Sequence, residues 1–446
     1  MLSTVSPARA AAFDILLRVE QTGAYASELL YSEKLDKLSV ADRALATELV
    51  LGVLRWRSRL DEVIAAASSR PLSKLDSEVL NALRMAAYQL RFLTRVPARA
   101  AINESVELVK RAAKRSAAPF ANAVLRRISD ANIEPSPQTI TGDPVAFLAR
   151  EFAHPEWMVK RWLAAFGVEH AFAICRHEQR VPNTAIRLDS PEIEQELMSQ
   201  GIELAPGALL ASARIVTTGD VTRTLAFREG RVFIQDEASQ LVAALVGTGS
   251  RLLDCCAAPG GKTAALAARN PTAEIFAVEL HAHRAELLRE RVQATNVQIL
   301  NADTLALPLQ GGFDRVLADV PCSGTGTLAR NPEIKWRLTP EDLDDLHARQ
   351  VGILRAALQQ LAPGGRAVYS TCSLEREENE DVAGEALRGN ASYQLRDCRE
   401  ELHRLHDGGE LVWHDLDSLL SGKFLGTLPG VQPCDGFFAA IVERSG

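Results

Sequence analysis

Two cysteines, each set among small and polar residues, are the side chains of this sequence best suited to covalent chemistry. Cys322 lies in the segment Asp319–Gly326, which reads DVPCSGTG, and Cys372 lies in Tyr369–Ser373, which reads YSTCS. Both segments follow apolar runs that are typical of buried strands. A thiolate is a strong nucleophile when its surroundings favour its charge. The two motifs therefore predict a sulfur nucleophile at the end of a strand.

A glycine turn upstream predicts a binding site for a nucleotide-like cofactor. The segment Leu252–Thr263, LLDCCAAPGGKT, reads as a strand, a tight turn and the start of a helix. Glycines let the backbone approach a ligand closely, and the first helical turn offers unpaired N–H groups. The ending Gly-Lys-Thr is shared with phosphate-binding P-loops, but Cys256 stands where that motif needs its first glycine. Because G-x-G-x-x-G is also missing, S-adenosylmethionine, which has no pyrophosphate, fits better than a dinucleotide.

Acidic residues end the next two predicted strands. Glu279 comes 25 residues after Asp254, and a carboxylate there can accept both hydroxyls of a ribose. Asp303 follows the next strand and could bind an adenine amino group. Either acid alone would more often be a capping or solvated residue, but three strand ends in register favour one common site.

The reaction that suits a thiol beside such a cofactor is methylation of a pyrimidine carbon. Carbon 5 of the ring is a poor nucleophile until a thiolate adds to carbon 6 and makes an enamine. Polar groups must also bind the Watson–Crick edge of the ring, and Asp319 and Lys262 are the candidates. The remaining cysteines are expected to pack as small apolar side chains: Cys175, Cys255, Cys256, Cys398 and Cys434.

The composition is that of an ordinary globular protein. The chain has 446 residues, of which 47% are apolar and 24% charged, enough for two or three domains. No apolar run reaches the roughly 18 residues of a membrane span, and the start lacks the apolar core of a signal peptide. Seven cysteines without an export signal predict reduced thiols and a cytoplasmic location. No cysteine or histidine spacing predicts a metal site, and nothing requires more than a monomer.

The periodicity of apolar residues predicts a multidomain chain. Residues 1–135 are predicted to form an all-α bundle, followed by a linker over Asn132–Asp143 and a small α+β module over residues 144–230. Residues 231–446 alternate strands and helices, which predicts an α/β Rossmann-like domain with a mostly parallel sheet covered on both faces. Its predicted strands are Arg231–Ile234, Arg251–Asp254, Glu274–Val278, Val297–Leu300, Arg315–Asp319, Arg366–Ser370 and Gly436–Val442.

The net charge of −7 is unevenly distributed. Residues 1–135 carry 20 Lys and Arg against 15 Asp and Glu, a balance of +5, whereas the remainder carries 30 against 42, a balance of −12. One interpretation is a fluctuation between solvated surfaces, and the other is that the N-terminal part binds a polyanion such as RNA. On the second interpretation the candidate phosphate contacts are Arg55, Arg57, Arg91 and Arg95.

Several motifs together resemble those of the RNA cytosine-C5 methyltransferases, the NOL1/NOP2/Sun family. The segments that carry this resemblance are Cys256–Thr263, Asp319–Gly324, Ser370–Ser373, Gln235–Ser239, Asn331–Trp336, Glu378–Glu380 and Asp435–Phe438. In the N-terminal half, Leu51–Arg55, Ala101–Leu108 and Asn122–Arg126 resemble the NusB-like helical domain of the Sun/Fmu type of bacterial 16S rRNA enzyme. His154–Trp157 and Thr184–Leu188 are similar to its middle module, so the resemblance covers nearly the whole chain.

The resemblance implies a reaction and residue roles. It implies methyl transfer from S-adenosylmethionine to carbon 5 of a specific cytosine in 16S rRNA through a covalent cysteine adduct. Cys372 would be the nucleophile and Cys322 would assist product release, although a Pro-Cys pair such as Pro321-Cys322 carries the nucleophile in DNA cytosine-C5 enzymes. Glu279 stands where the family usually has Asp, and Arg376 replaces a common proline. The cofactor would lie among Cys256, Ala257, Ala258, Pro259, Gly260, Gly261, Lys262, Glu279, Asp303 and Asp319.

Two other functions are compatible with parts of the sequence. A non-catalytic RNA-binding or antitermination-type protein would need a degenerate Rossmann part, which the intact Cys372, Cys322 and Asp319 disfavour. A tRNA cytosine-C5 methyltransferase would share the catalytic motifs, but the NusB-like N-terminal segment favours rRNA.

Overall fold

The chain forms two units in this computed structural model, which describes residues 5–30, 35, 37–131 and 142–446. One unit comprises Met1–Val181 and Leu328–Leu338, and the other comprises Pro182–Thr327 and Thr339–Gly446. Residues 132–141 of the predicted linker lie outside the described residues. The division into three domains stays a prediction, since the strands of the predicted middle module share a unit with the large sheet.

The first unit is helical, and its core is built from the apolar faces of the helices. All the secondary-structure elements that the structure describes between residues 5 and 131 are helical, as predicted for this region. Gly52 is required where two helices meet, because a Cβ there would lie 2.1 Å from the ring of Tyr88. The helices are Pro7–Thr22 (α1), Ala26–Leu30 (α2), Val40–Arg55 (α3), Arg57–Ala67 (α4), Ser77–Phe92 (α5), Ala98–Arg111 (α6), Ala118–Asp130 (α7), Pro144–Glu151 (α8) and Glu156–His177 (α9).

The segment Leu328–Leu338 completes the helical unit by binding the carboxyl ends of its helices. Lys335 Nζ donates hydrogen bonds to the carbonyl oxygens of Arg55 and Ala153 at 2.8 and 2.9 Å. Arg337 Nη1 donates to the carbonyl of Gly23, just after α1, at 2.6 Å. The last carbonyls of a helix lack partners within the helix and attract cations. A stretch that the sequence groups with the catalytic motifs therefore belongs to the helical unit.

A small antiparallel sheet opens the second unit. Its strands follow the order Glu203–Pro206, Ala213–Thr218, Thr184–Arg187 and Phe233–Ile234. The prediction of a strand over Arg231–Ile234 within the large sheet is wrong, because Phe233–Ile234 pairs with Thr184–Arg187 of the small sheet. The elements are Thr184–Arg187 (β1), Pro191–Ser199 (α10), Glu203–Pro206 (β2), Ala213–Thr218 (β3), Leu225–Arg228 (α11) and Phe233–Ile234 (β4).

The large sheet has a parallel half and an antiparallel half. Its strands are Arg251–Asp254 (β5), Glu274–Glu279 (β6), Val297–Asn301 (β7), Phe313–Asp319 (β8), Leu361–Thr371 (β9), Tyr393–Arg396 (β10), Leu420–Ser421 (β11), Phe424–Thr427 (β12) and Phe437–Arg444 (β13). The strand order is β11–β12–β13–β9–β8–β5–β6–β7, with β10 paired to β13. Strands β5 to β9 are parallel to one another, and β13 runs antiparallel to β9.

Helices alternate with these strands and pack against the sheet, as expected for a Rossmann-like fold. Parallel strands end at the same edge, so the segments after β5, β6, β7, β8 and β9 come together there. No helix among the described residues is both long and apolar enough to cross a membrane. The helices are Glu237–Val246 (α12), Gly261–Arg269 (α13), Ala282–Arg291 (α14), Asp342–Gln359 (α15), Glu380–Leu387 (α16) and Cys398–Asp407 (α17).

Candidate active site

The two motif cysteines face each other across the ends of β8 and β9. Cys322 Sγ lies 3.4 Å from Cys372 Sγ, and both side chains are half-buried. The two loops are also joined through their backbones, because the N–H of Gly326 donates to the carbonyl of Cys372 at 2.9 Å. A Cβ at Gly326 would lie 2.2 Å from the carbonyl oxygen of Gly436, so only glycine fits this crossing.

The surroundings of Cys322 disfavour the loss of its proton. The hydrogen bond to Cys372 and, after it, burial raise the pKa of Cys322 well above its usual value. Cys322 is therefore harder to ionise than an ordinary cysteine, and either sulfur could be the donor in the contact between them. The N–H of Cys372 points back at Cys322 Sγ at 3.4 Å. The two cysteines are thus joined by two contacts, one between the sulfurs and one from the N–H of Cys372 to Cys322 Sγ.

An ion pair lies at the same edge of the sheet. Lys262 Nζ, at the start of α13, is 2.7 Å from Asp319 Oδ2 at the end of β8. The other oxygen of Asp319 accepts a 2.7 Å hydrogen bond from the Ser370 hydroxyl of β9. The Lys262 ammonium also lies 5.0 Å from the centre of the Phe437 ring. These contacts fix a cation and an anion beside the cysteine loops.

The glycine turn after β5 is held from several sides. Gly260 has φ +109°, a conformation that other residues rarely adopt, and a Cβ there would meet Val292 at 2.7 Å. Asp254 is buried under the turn, and its carboxylate accepts a 2.7 Å hydrogen bond from the Thr263 hydroxyl. Desolvation by burial raises the pKa of Asp254 to about 7. Arg187 of the small sheet donates to the carbonyl of Gly261 at 2.8 Å and so supports the turn from outside.

The predicted ribose and adenine acids stand at neighbouring strand ends. Glu279 is 4% exposed, and Oε1 accepts the N–H of His281 at 2.9 Å. Glu279 Oε2 faces Arg284 Nη1 at 3.8 Å, which leaves acceptor capacity for further donors. Asp303 is exposed, and its carboxylate caps the N–H of Leu305 at 2.9 Å. Asn301 reaches back to the carbonyl of Glu279 at 2.8 Å and joins the two strand ends.

Comparison with known proteins identifies the family. The family model described as 16S rRNA methyltransferase RsmB/F matches residues 245–443, and the NusB family model matches residues 6–130. A Bacillus subtilis protein named "Probable ribosomal RNA small subunit methyltransferase B" is 37% identical over 98% of this chain and 98% of its own length. The Vibrio cholerae ribosomal RNA small subunit methyltransferase B is 32% identical over 99% of each chain. The chain belongs to the RsmB/F family of 16S rRNA methyltransferases.

Solved structures agree with the fold of this RsmB/F family member. The crystal structure of PH0851 matches all of this chain and all of its own length with a TM-score of 0.80 at 22% identity, which shows the fold. A methyltransferase homologue from Pyrococcus horikoshii matches 68% of this chain and 100% of its own length, with a TM-score of 0.55 at 25% identity. The resemblance drawn from the motifs and the predicted fold class are confirmed.

The structure also shows residues that the sequence interpretation of this RsmB/F protein did not single out. Ser323 and Ser373 directly follow the two cysteines, and both bind the buried carboxylate of Glu378. Thr263 and Ser370 anchor the carboxylates of Asp254 and Asp319. These four hydroxyl residues lie inside the motifs given above, so their closeness in sequence to a candidate residue could have pointed to them. Their hydrogen-bond partners, however, are known only from the fold.

One predicted RNA contact in the helical unit is wrong. Arg55 is 2% exposed, and Nη2 donates to the carbonyl of Ala329 at 2.9 Å, so it cannot reach a phosphate. Arg57 is half-buried and lies 3.4 Å from Glu20. Arg91 donates to the carbonyl of Ala131 at 3.4 Å. Arg95 is exposed and stays a candidate phosphate contact.

Proposed function

We propose that this RsmB/F protein transfers a methyl group from S-adenosylmethionine to carbon 5 of a specific cytosine in 16S rRNA. The observation that carries the proposal is the 3.4 Å approach of Cys322 Sγ and Cys372 Sγ. One thiol can attack carbon 6 of the ring while the other lies close enough to act on the same adduct. The Lys262–Asp319 pair at the same edge supplies polar groups for the ring.

The residues around the glycine turn fit the cofactor. Glu279 is a buried carboxylate with one hydrogen bond and a distant arginine, an arrangement that two ribose hydroxyls would complete. Gly260 has a positive φ and directly precedes α13, whose first N–H groups could face a ligand. When bound, S-adenosylmethionine supplies the methyl group as an electrophile. Asp303 lies one strand further along the edge, where it can accept from an adenine amino group.

The first step that we assign to the protein is addition of the Cys372 thiolate to carbon 6. The sulfur lone pair forms the C6–S bond, and the electrons of the ring double bond move to make carbon 5 nucleophilic. The Lys262 ammonium can donate to an acceptor on the Watson–Crick edge, and the Asp319 carboxylate can accept from the exocyclic amino group. The target base would have to leave its stack to reach these groups.

Product release requires loss of the carbon-5 proton, a step that we assign to Cys322. The hydrogen bond to Cys372, which is the largest cause of the raised pKa of Cys322, is lost once that sulfur is bonded to carbon, whereas burial continues to raise the pKa. In the step that we assign to it, Cys322 acts as a thiolate and accepts the proton from carbon 5. The electrons of that C–H bond restore the ring double bond as the C6–S bond breaks, which frees Cys372 as a thiolate.

Labelled methyl transfer tests the substrate assignment. The full-length protein is incubated with labelled S-adenosylmethionine and, side by side, naked 16S rRNA, assembled small subunits and tRNA. We expect label at carbon 5 of one cytosine in 16S rRNA, in the naked or the assembled form. Preferential labelling of tRNA would favour the tRNA enzyme. No labelling together with no cofactor binding in calorimetry would favour the non-catalytic RNA-binding function.

Substitution of each cysteine tests the assigned roles. Cys372→Ala removes the attacking sulfur, so we expect neither methyl transfer nor a covalent protein–RNA complex. Cys322→Ala can still attack and methylate, so it should accumulate an adduct that survives denaturing electrophoresis and disappears in the double variant. An adduct in Cys372→Ala but not in Cys322→Ala would reverse the two roles and make Pro321-Cys322 the nucleophile motif.

A further inference from the structure

The buried carboxylate of Glu378 forms hydrogen bonds to both cysteine loops, the one after β8 and the one after β9. Glu378, in the short turn that precedes α16, has no solvent exposure. Its Oε1 accepts hydrogen bonds from the backbone N–H of Ser323 and from Gln350 Nε2, both at 2.8 Å. Its Oε2 accepts from the hydroxyls of Ser323 and Ser373. Ser323 follows Cys322 in the chain and Ser373 follows Cys372, so one side chain is bonded to the residue after each thiol.

These four donors match the acceptor capacity of a carboxylate. An ionised carboxylate has about four lone-pair positions and no donor, and each oxygen of Glu378 receives two hydrogens. Such charge-assisted bonds are about twice as strong as neutral ones, and an unmade bond at a buried site is costly. The donors come from the loop after β8, the loop after β9 and helix α15, which supplies Gln350. Glu378 is thus the point at which three separate segments meet.

The next residue strengthens the same connection. The Thr371 hydroxyl donates to Asn379 Oδ1, and Asn379 Nδ2 donates to the carbonyl of Ser373 at 2.9 Å. Cys372 lies between these two bonded residues. Its backbone is therefore fixed on both sides by the Glu378-Asn379 pair, while Cys322 is fixed through the N–H and hydroxyl of Ser323.

We propose that Glu378 is a positioning residue that holds the sulfur atoms of Cys322 and Cys372 at the separation that the reaction needs. This inference rests on the proposed function for its catalytic consequence, but not for its geometric one. Glu378 contacts neither sulfur and acts through Ser323 and Ser373. Misplacing a reacting group by about 1 Å can cost about 10²-fold in rate. The carboxylate accordingly contributes to turnover without touching the substrate.

Glu378→Gln tests the role with little change in shape. The amide NH₂ must face either the two N–H donors or the two hydroxyls, so at least one pair of hydrogen bonds is lost or reversed. We expect single-turnover methyl transfer to fall about 10²-fold, with the affinity for S-adenosylmethionine within about two-fold of wild type. Ser373→Ala removes one of the four donors and should give a smaller loss in the same direction. Glu380→Gln, two residues further along the chain, is the matched control.

A second measurement reports the thiol geometry without any methyl transfer. In glutathione buffers the equilibrium ratio of the Cys322–Cys372 disulfide to the free thiols gives the effective concentration of one sulfur at the other. Each disulfide that forms reduces one oxidised glutathione to two thiols. Mass spectrometry of the intact protein follows the loss of the two hydrogens. We expect Glu378→Gln to lower this effective concentration by at least about ten-fold, and Glu380→Gln to leave it unchanged.

The two measurements separate the inference from the proposed function. An effective concentration that is equal in wild type and Glu378→Gln, or a disulfide that forms in neither, overturns the positioning role. A lower melting temperature with unchanged transfer rate and unchanged thiol geometry would show that Glu378 only stabilises the fold, which also overturns it. If wild type transfers no methyl group to cytosine while Glu378→Gln still loses thiol proximity, the positioning role stands and the proposed function fails.

Discussion

Lys262 Nζ lies 2.7 Å from Asp319 Oδ2, so an ion pair connects the cofactor turn to the strand that leads to Cys322. The side chains of Lys262 and Asp319 are 12% and 26% exposed, so the pair is partly desolvated. Leaving one of these charges unpaired therefore costs more free energy than it would at an open surface. The turn and the strand end can therefore be expected to respond together when either charge is removed.

Asp319→Asn should reduce methyl transfer by about 10²-fold or more, because it removes the carboxylate that pairs with Lys262 and that we propose accepts from the ring amino group. Single-turnover kinetics with labelled cofactor measure the effect. Asp314→Asn is the matched control, since Asp314 lies on the same strand near its opposite end and accepts from Ser250 and Arg251. A transfer rate in Asp319→Asn equal to that of the control would remove Asp319 from the reaction.

Glu279→Ala should weaken binding of S-adenosylmethionine about ten- to a hundred-fold, because the ribose hydroxyls would lose a charged acceptor. Glu279→Asp, which restores the acid more common in the family, should cost much less. Isothermal titration calorimetry measures both affinities directly. Equal affinities for wild type and Glu279→Ala would show that the carboxylate serves only the N–H of His281.

The residues of the candidate site could be selected from the sequence because they follow from local patterns. Strand ends that carry Asp254, Glu279, Asp319 and Cys372 were identified from apolar runs followed by polar motifs. Parallel order then brings such ends to one edge. The structure brings Cys322 Sγ within 3.4 Å of Cys372 Sγ, whereas a shared catalytic site and their separate roles stay predictions.

What escaped the sequence interpretation depends on contacts between distant segments. Lys335 binds the carbonyl of Arg55, 280 residues away in the chain, and no local pattern indicates that a catalytic-family motif belongs to the helical unit. The composition of the strand Phe233–Ile234 suits either sheet, and only its pairing with β1 shows that it belongs to the small one. Arg55 reads as a surface cation at a helix end, yet packing against Leu328–Leu338 buries it. Tertiary partners decide each of these cases.

Arg95→Ala should weaken RNA binding and reduce the steepness of its salt dependence, if the exposed Arg95 contacts a phosphate. Loss of one phosphate contact lowers the slope of log affinity against log salt by about 0.9 for a duplex and about 0.7 for a single strand. Filter binding or anisotropy with 16S rRNA at several salt concentrations gives the slope. Arg376→Ala, an exposed arginine of the other unit that pairs with Asp381, is the matched control. Identical slopes for the two variants would place Arg95 outside the RNA interface.

Asp254→Asn should change how stability depends on pH. Burial raises the pKa of Asp254 to about 7, above its ordinary value of 3.8. Between these two values the folded state holds a proton that the unfolded chain has released, so the contribution of Asp254 to stability falls as the pH rises from about 4 to about 7.

The amide of Asp254→Asn cannot ionise, but it keeps an oxygen that can accept from the Thr263 hydroxyl. Asp254→Asn should therefore lose this decline and gain stability relative to wild type at pH 7 and above. Urea unfolding of both proteins at a series of pH values, followed through the loss of the large sheet, measures the difference between their free energies of unfolding. A difference in unfolding free energy that stays constant across this range would mean that Asp254 remains ionised in the folded protein.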